Sequence, residues 1–272
     1  MSQMILVTSF KGGVGKTTFS ANLAACLAMH GKKVLVCDCD LESRCLDLIL
    51  GADDQPLFNI CDAVRGVCEL AEATMQSDKH KNLFFMPAPA FYPEAAQQLL
   101  TDEIFTESAV DAFVGALAEK YDAVVFDLPA RPDGLYRHLM THADKVLVMS
   151  MHTAVSVRAA EKTAIAVKEL CAGKRMPEVL LVVNGFHIQS TARGETSGLY
   201  DILSRAGLPL AGVIPFDQAM VRAQENGLLA FEAGHGRLPF WTAVDNIARR
   251  LDGEHVKLLD GIRCRVQRRE LY

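Results

Sequence analysis

Nine residues near the start of the chain, Phe10-Lys11-Gly12-Gly13-Val14-Gly15-Lys16-Thr17-Thr18, have the composition of a loop built around phosphate. Glycines at 12, 13 and 15, with Val14 between them, let the backbone turn tightly and aim its N–H groups inward. The helix expected to start near Lys16 adds the positive partial charge of its N-terminus. In that setting Lys16 neutralises β/γ oxygens, the Thr17 hydroxyl suits Mg2+, and Thr18 is placed to bond an α-phosphate. The spacing departs from the usual G-x-x-x-x-G-K count. Phe10 takes the first glycine position, and a second lysine, Lys11, stands at the mouth of the loop. Three acids suit the same chemistry. Asp38 and Asp40, at i and i+2, leave the end of an apolar run and point toward one edge; one suits Mg2+ through water, the other the positioning or activation of an attacking water. Taken alone that pair is also compatible with a solvated turn. Asp127 closes Ala123-Val124-Val125-Phe126, the Walker B pattern of an acid for the Mg2+ shell. Asn184 and Pro215-Phe216-Asp217 end later runs, where a nucleotide base would lie. Asn184 is open to two readings, a ring-edge contact or a plain strand-end turn.

Such residues need a sheet to present them. Short aliphatic runs at 4–9, 33–38, 82–87, 123–128, 145–151, 179–184 and 210–215 are continuous rather than alternating, as strands buried on both faces require. Amphipathic segments of helical length lie between them, at 16–30, 94–100, 103–120, 153–172, 196–207 and 216–228. Seven strands alternating with helices predict an α/β fold, a single doubly wound and mostly parallel sheet. Ligands of such sheets bind outside the carboxyl ends of the strands, where the candidate residues fall. Residues 51–81 read as a helical insertion.

Composition bounds the function. The chain has 272 residues, half of them hydrophobic and 22% charged, with a net charge of −5. A mild acidic excess argues against coating nucleic acid through bulk charge. No charged segment precedes an apolar signal-like core, and no apolar stretch reaches the roughly 18 residues that span a bilayer. The expectation is a cytoplasmic protein whose membrane contact, where it has one, is peripheral. The eight cysteines form no C-x-x-C pair, so they read as reduced thiols acting as small hydrophobes. His138 and His142 have helical i, i+4 spacing but no evident third metal ligand.

Lys11-Gly-Gly-Val-Gly-Lys-Thr-Thr18 resembles the deviant Walker A motif of the MinD/ParA ATPases, and the resemblance covers nearly the whole chain. Residues 38–51 (DCDLESRCLDLILG) look like the first switch of the MinD type, and Phe126-Asp127-Leu128-Pro129-Ala130 resembles the second. TAVSVRAAEK (153–162), RGE (193–195), YDIL (200–203) and GVIPFDQAMVRAQENG (212–227) follow in MinD-like order. The resemblance implies a P-loop ATPase domain over 1–254 and a tail over 255–272. It also implies two protomers that sandwich two ATP molecules, with Lys11 reaching the partner's nucleotide as an arginine finger does in trans. Asp40 would position the hydrolytic water, Asp38 and Asp127 would organise Mg2+, and Lys16 and Thr17 would hold phosphates. The ATP-bound homodimer would bind a surface and a protein activator or cargo, most closely in division-site positioning.

The second switch departs from that pattern, with Arg131-Pro132 where a glycine is usual, and Glu42, Ser43 and Cys45 depart in the first. These changes bear on partner recognition more than on ATP binding. The family often ends in an amphipathic helix that inserts into membrane. In the tail Leu258, Leu259, Ile262 and Val266 would fall on one helical stripe, with Arg263, Arg268 and Arg269 around it. A last helix capping the core would look the same. The alternatives are a positioning ATPase for pilus or flagellar assembly and a ParA-type DNA partition ATPase. The chain begins at the first strand, without the N-terminal DNA-binding extension the latter often carries. Residues 127–144 contain no cysteine for a cluster shared across a dimer, and no C-terminal C-x-x-C marks an iron–sulfur scaffold.

Overall fold

The computed structural model describes residues 2–52, 56–90 and 105–262. Its strands in chain order are β1 (Gln3–Thr8), β2 (Val34–Asp38), β3 (Met75–Gln76), β4 (Leu83–Met86), β5 (Ala123–Asp127), β6 (Lys145–Met151), β7 (Glu178–Phe186) and β8 (Leu210–Pro215). The helices are α1 (Lys16–Met29), α2 (Leu46–Leu50), α3 (Ile60–Arg65), α4 (Glu107–Lys120), α5 (Gly134–His142), α6 (Ala154–Leu170), α7 (Ile188–Ala192), α8 (Leu199–Ala206), α9 (Gln218–Gln224), α10 (Ala230–Gly234) and α11 (Pro239–Leu251).

One sheet of order β3-β4-β2-β5-β1-β6-β7-β8 runs through the molecule. Every pair is parallel except the two-residue β3 against β4. Alternation along β1 builds the two layers. Ile5 and Val7 face Phe19, Leu23, Leu27, Trp241 and Ile247 of α1 and α11. Met4 and Leu6 face the opposite core of Phe113, Leu117, Tyr136, Leu139, Val157 and Val167 from α4, α5 and α6. Both faces are thus dry, which is why the strands read as unbroken apolar runs.

Several expectations meet differences. The seven parallel strands form, and β3 adds an eighth at the edge. Among described residues, 56–81 holds one short helix, α3, closed by an Asn59–Asp62 capping box, and then turns leading to β3, rather than a helical insertion. The helix expected at 94–100 lies outside the described residues. Of the helices not anticipated, α5 and α11 complete the layers. The stripe expected over 255–262 is not helical: Leu259 (φ 56°) and Gly261 (φ 68°) are left-handed, which breaks a helix. Leu259 is buried, and Leu258 and Ile262 pack against the core. The start of the tail therefore caps the domain, and residues 263–272 lie outside the described residues.

Candidate active site

The loop after β1 enters α1 without a protein cap. Gly15 occupies the N-cap position at φ 89° and offers no side-chain cap, and no acid lies in the first turn. By contrast α3, α4, α5 and α9 begin with capping side chains, from Asn59, Thr106, Asp133 and Asp217. Leaving the first-turn donors of α1 to the glycine loop makes an anion cradle at a positive helix end. Gly13 (φ 73°) and Gly15 both need the left-handed region. A Cβ on Gly15 would stand 2.4 Å from Asn184 Nδ2, whereas around Gly12 and Gly13 there is open space. The loop is tight at its base and open at its mouth.

The two lysines occupy different surroundings. Lys16 is 8% exposed and its charge acts on Asp127. Lys11 is half-buried at the mouth, and among the described residues its ammonium has no ion pair. Its backbone N–H donates to Ser9 Oγ at 3.4 Å, and that of Phe10 to Thr163 Oγ1 at 3.1 Å. The ring of Phe10 lies 6.3 Å from that of Tyr136, whose hydroxyl meets Thr8 Oγ1 at 3.1 Å. Phe10 in place of glycine is thus a wedge anchoring the loop to α5 and α6.

Parallel pairing of β2 and β5 sets Asp38 directly beside Asp127. Both oxygens of Asp38 accept backbone N–H groups, from Asp40 at 3.1 Å and from Leu46 at 3.1 Å, so this carboxylate also shapes the loop that follows. Burial, then repulsion from Asp127, pushes its carboxyl up to about 7. Asp127 Oδ1 accepts from Ser20 Oγ at 3.0 Å. Its Oδ2 is buried and receives no hydrogen bond of ordinary geometry from the described residues. Burial raises Asp127 to about 6, an effect that the Thr17 hydroxyl, Lys16 and Ser20 partly offset. A buried carboxylate oxygen without a partner, facing a threonine hydroxyl and a second acid, fits a divalent cation. Asp40 is more exposed and accepts from Ser43 N at 3.1 Å. Asp133, after the altered Arg131-Pro132 turn, caps α5 through Tyr136 N at 2.7 Å; burial raises it to about 6.

The later strand ends reach the same edge, with additional duties. Asn184 donates from Nδ2 to the Val14 carbonyl at 2.8 Å and accepts Gly185 N at 2.9 Å, so it braces the loop from below. Pro215 ends β8. Asp217 accepts from Ala219 N at 3.0 Å and Phe240 N at 3.4 Å, tying α9 to α11. Three residues that motif reading passed over hold the loop: Ser20; Gln224, whose amide donates to the Thr18 hydroxyl; and Asn22, which donates to the Thr18 carbonyl at 2.8 Å and accepts Ala230 N at 2.8 Å. His142 pairs with Asp111 at 2.7 Å, which gives that histidine a structural partner.

Residues 2–175 match a family model described as an AAA domain. The septum site-determining protein MinD of Synechocystis sp. is 31% identical over 260 residues, which covers 96% of this chain and 93% of that relative. The chain belongs to the MinD/ParA family of ATPases. Among solved structures, a chain of the MinC:MinD cell division protein complex from Aquifex aeolicus matches with a TM-score of 0.80 at 26% identity, covering 94% of this chain and 98% of that one. MinD of Pyrococcus horikoshii, complexed with Mg-ADP, matches with a TM-score of 0.77 and covers 98% of this chain and 100% of that one; at 22% identity it shows the fold alone.

Proposed function

We propose that this chain is a MinD-type dimerisation switch that binds and hydrolyses Mg-ATP and serves to position the division site. The observation that carries the reading is the unequal placement of its two lysines. Lys16 is buried against its own loop and beside Asp127, the place for a lysine that serves the resident triphosphate. Lys11 has no ion pair among the described residues and stands at an open mouth, where a second protomer could receive it. Two such loops face to face would complete each other's sites, each Lys11 stabilising phosphoryl charge on the neighbour's nucleotide.

The geometry supports the following roles for the remaining residues. The N–H groups of Gly12, Gly13, Val14, Gly15 and the first turn of α1 cradle phosphate, and Thr17 and Thr18 add hydroxyls. Thr17 and Asp127 would hold Mg2+, with Asp38 beside them in its outer shell; the ion supplies charge neutralisation at the phosphates. Asp40, on the exposed loop after β2, orients the attacking water. Asn184, Pro215 and Asp217 form the base-side wall. Because Asp38 also holds the N–H groups of Asp40 and Leu46, a charge change at the phosphates reaches the first switch through that one carboxylate. Peripheral membrane contact is assigned to 263–272, where Arg263, Arg265, Arg268 and Arg269 accompany Val266 and Leu271, a composition suited to anionic lipid.

Sedimentation velocity of Asp40→Ala with ATP and with ADP tests the switch. The expected result is a dimer with ATP and a monomer with ADP; a strictly monomeric ATP complex contradicts it. Phosphate release by the unaltered chain, with and without anionic vesicles, separates an ATPase from a binding scaffold. The scaffold reading gains if no turnover occurs in either condition.

A further inference from the structure

At the far end of α1 from the phosphate loop, three side chains of different chemistry converge. Cys26 and His30 lie one turn apart, fixed by the His30 N–H donating to the Cys26 carbonyl at 3.0 Å. Asp245, from α11, closes the group. Cys26 Sγ stands 3.7 Å from His30 Nε2 and 3.5 Å from Asp245 Oδ1, and these last two atoms are 2.8 Å apart. Ten residues separate Cys26 from Lys16, about 15 Å along the helix, so the group is distinct from the nucleotide loop.

We propose that Cys26, His30 and Asp245 form a binding site for a zinc-class divalent cation, with a fourth position open to water or an added ligand. The distances carry it. Tetrahedral bonds of about 2.3 Å to sulfur and 2.0–2.1 Å to nitrogen and oxygen put S···N and S···O about 3.5–3.6 Å apart and N···O about 3.3 Å apart. The two sulfur separations already match within about 0.2 Å, and the N···O pair needs to open by about 0.5 Å as its hydrogen bond is exchanged for metal bonds. Thiolate, carboxylate and neutral imidazole together balance a +2 ion. That donor set selects a borderline metal over Mg2+ or Ca2+, which favour all-oxygen sites.

Access and freedom from competing cations support the same assignment. Cys26 is buried, so its sulfur faces the site from within. His30 and Asp245 are each 30% exposed, which leaves an entry path and an open position on the solvent side. The neighbouring cations are engaged elsewhere, Lys32 with Asp252 and Arg249 with Glu254 at 2.8 Å. An ion here would clamp α1, the helix that carries the phosphate loop, to α11, its neighbour in that layer.

The test is titration of the full chain with Co2+ in excess Mg2+, which occupies oxygen sites, followed by displacement with Zn2+. One equivalent of Co2+ with a thiolate-to-cobalt charge-transfer band and tetrahedral ligand-field bands is expected. Cys26→Ser should abolish the charge-transfer band. His30→Gln and Asp245→Asn, at the exposed end where folding is least at risk, should weaken binding at least about tenfold, with circular dichroism and nucleotide binding unchanged. A folded wild-type chain with no such band overturns the site. So does a band that survives Cys26→Ser, or an affinity that is the same in His30→Gln.

Discussion

Replacing Asp127 by asparagine keeps the shape of the side chain and its acceptor for Ser20, yet removes the charge from a buried carboxyl whose Oδ2 receives no hydrogen bond of ordinary geometry from the described residues. The folded state holds this carboxyl at about 6 instead of the ordinary 3.8. With its folded value above its unfolded one, ionisation costs stability: the cost begins as pH rises past 3.8 and is complete above about 6. At about 1.36 kcal/mol for each pH step, the full penalty is at most about 3 kcal/mol at pH 8 and about half of that at pH 5. Relief of repulsion on Asp38, held at about 7, acts in the same direction. In urea unfolding with EDTA and no nucleotide, Asp127→Asn should therefore exceed the parent chain by about 1–3 kcal/mol at pH 8, with a smaller advantage at pH 5. The same variant should lose the Mg2+-dependent part of nucleotide binding, a gain in stability at the expense of function. An asparagine variant less stable than the parent at pH 8, or an advantage equal at both pH values, would show that the buried charge of Asp127 does not carry this cost.

Other perturbations probe the loop and the chain end. Gly15→Ala should cost about 1–2 kcal/mol for a left-handed alanine, and because its Cβ would meet Asn184 Nδ2, isothermal titration should show nucleotide binding lost rather than merely weakened. Ending the chain at Ile262 should leave the unfolding midpoint unchanged while abolishing ATP-dependent co-sedimentation with anionic vesicles. Ending it at Glu254 should also destabilise the fold, because it removes buried Leu259 and its packing, at about 2–5 kcal/mol for a large apolar side chain.

The glycine-rich turn into α1, the placement of Asp38 and Asp127 at neighbouring strand ends and the parallel sheet were legible because each has a local cause. Buried strands must be apolar throughout, and a loop that approaches phosphate needs glycine where φ is positive, as at Gly13 and Gly15. The bracing was not legible, because its partners lie far apart in the chain. Ser20 meets Asp127 across 107 residues, Gln224 meets Thr18 across 206, and Asn22 meets Ala230 across 208. β3 spans two residues, too few for any period. In the tail, Leu258, Leu259 and Ile262 have helical spacing, but the left-handed backbone at Leu259 and Gly261 lets the same apolar residues cap the core. Hydrophobic spacing alone could not separate those outcomes. Cys26, too, looked like a plain small hydrophobe until α11 brought Asp245 beside it.

Whether Lys11 works on a neighbour's nucleotide is decided by sedimentation velocity of Lys11→Ala with ATP, set beside ATP binding and phosphate release. Near-normal ATP binding is expected from a chain that stays monomeric and does not turn over. A Lys11→Ala chain that still dimerises with ATP and hydrolyses it at the parent rate would contradict that role.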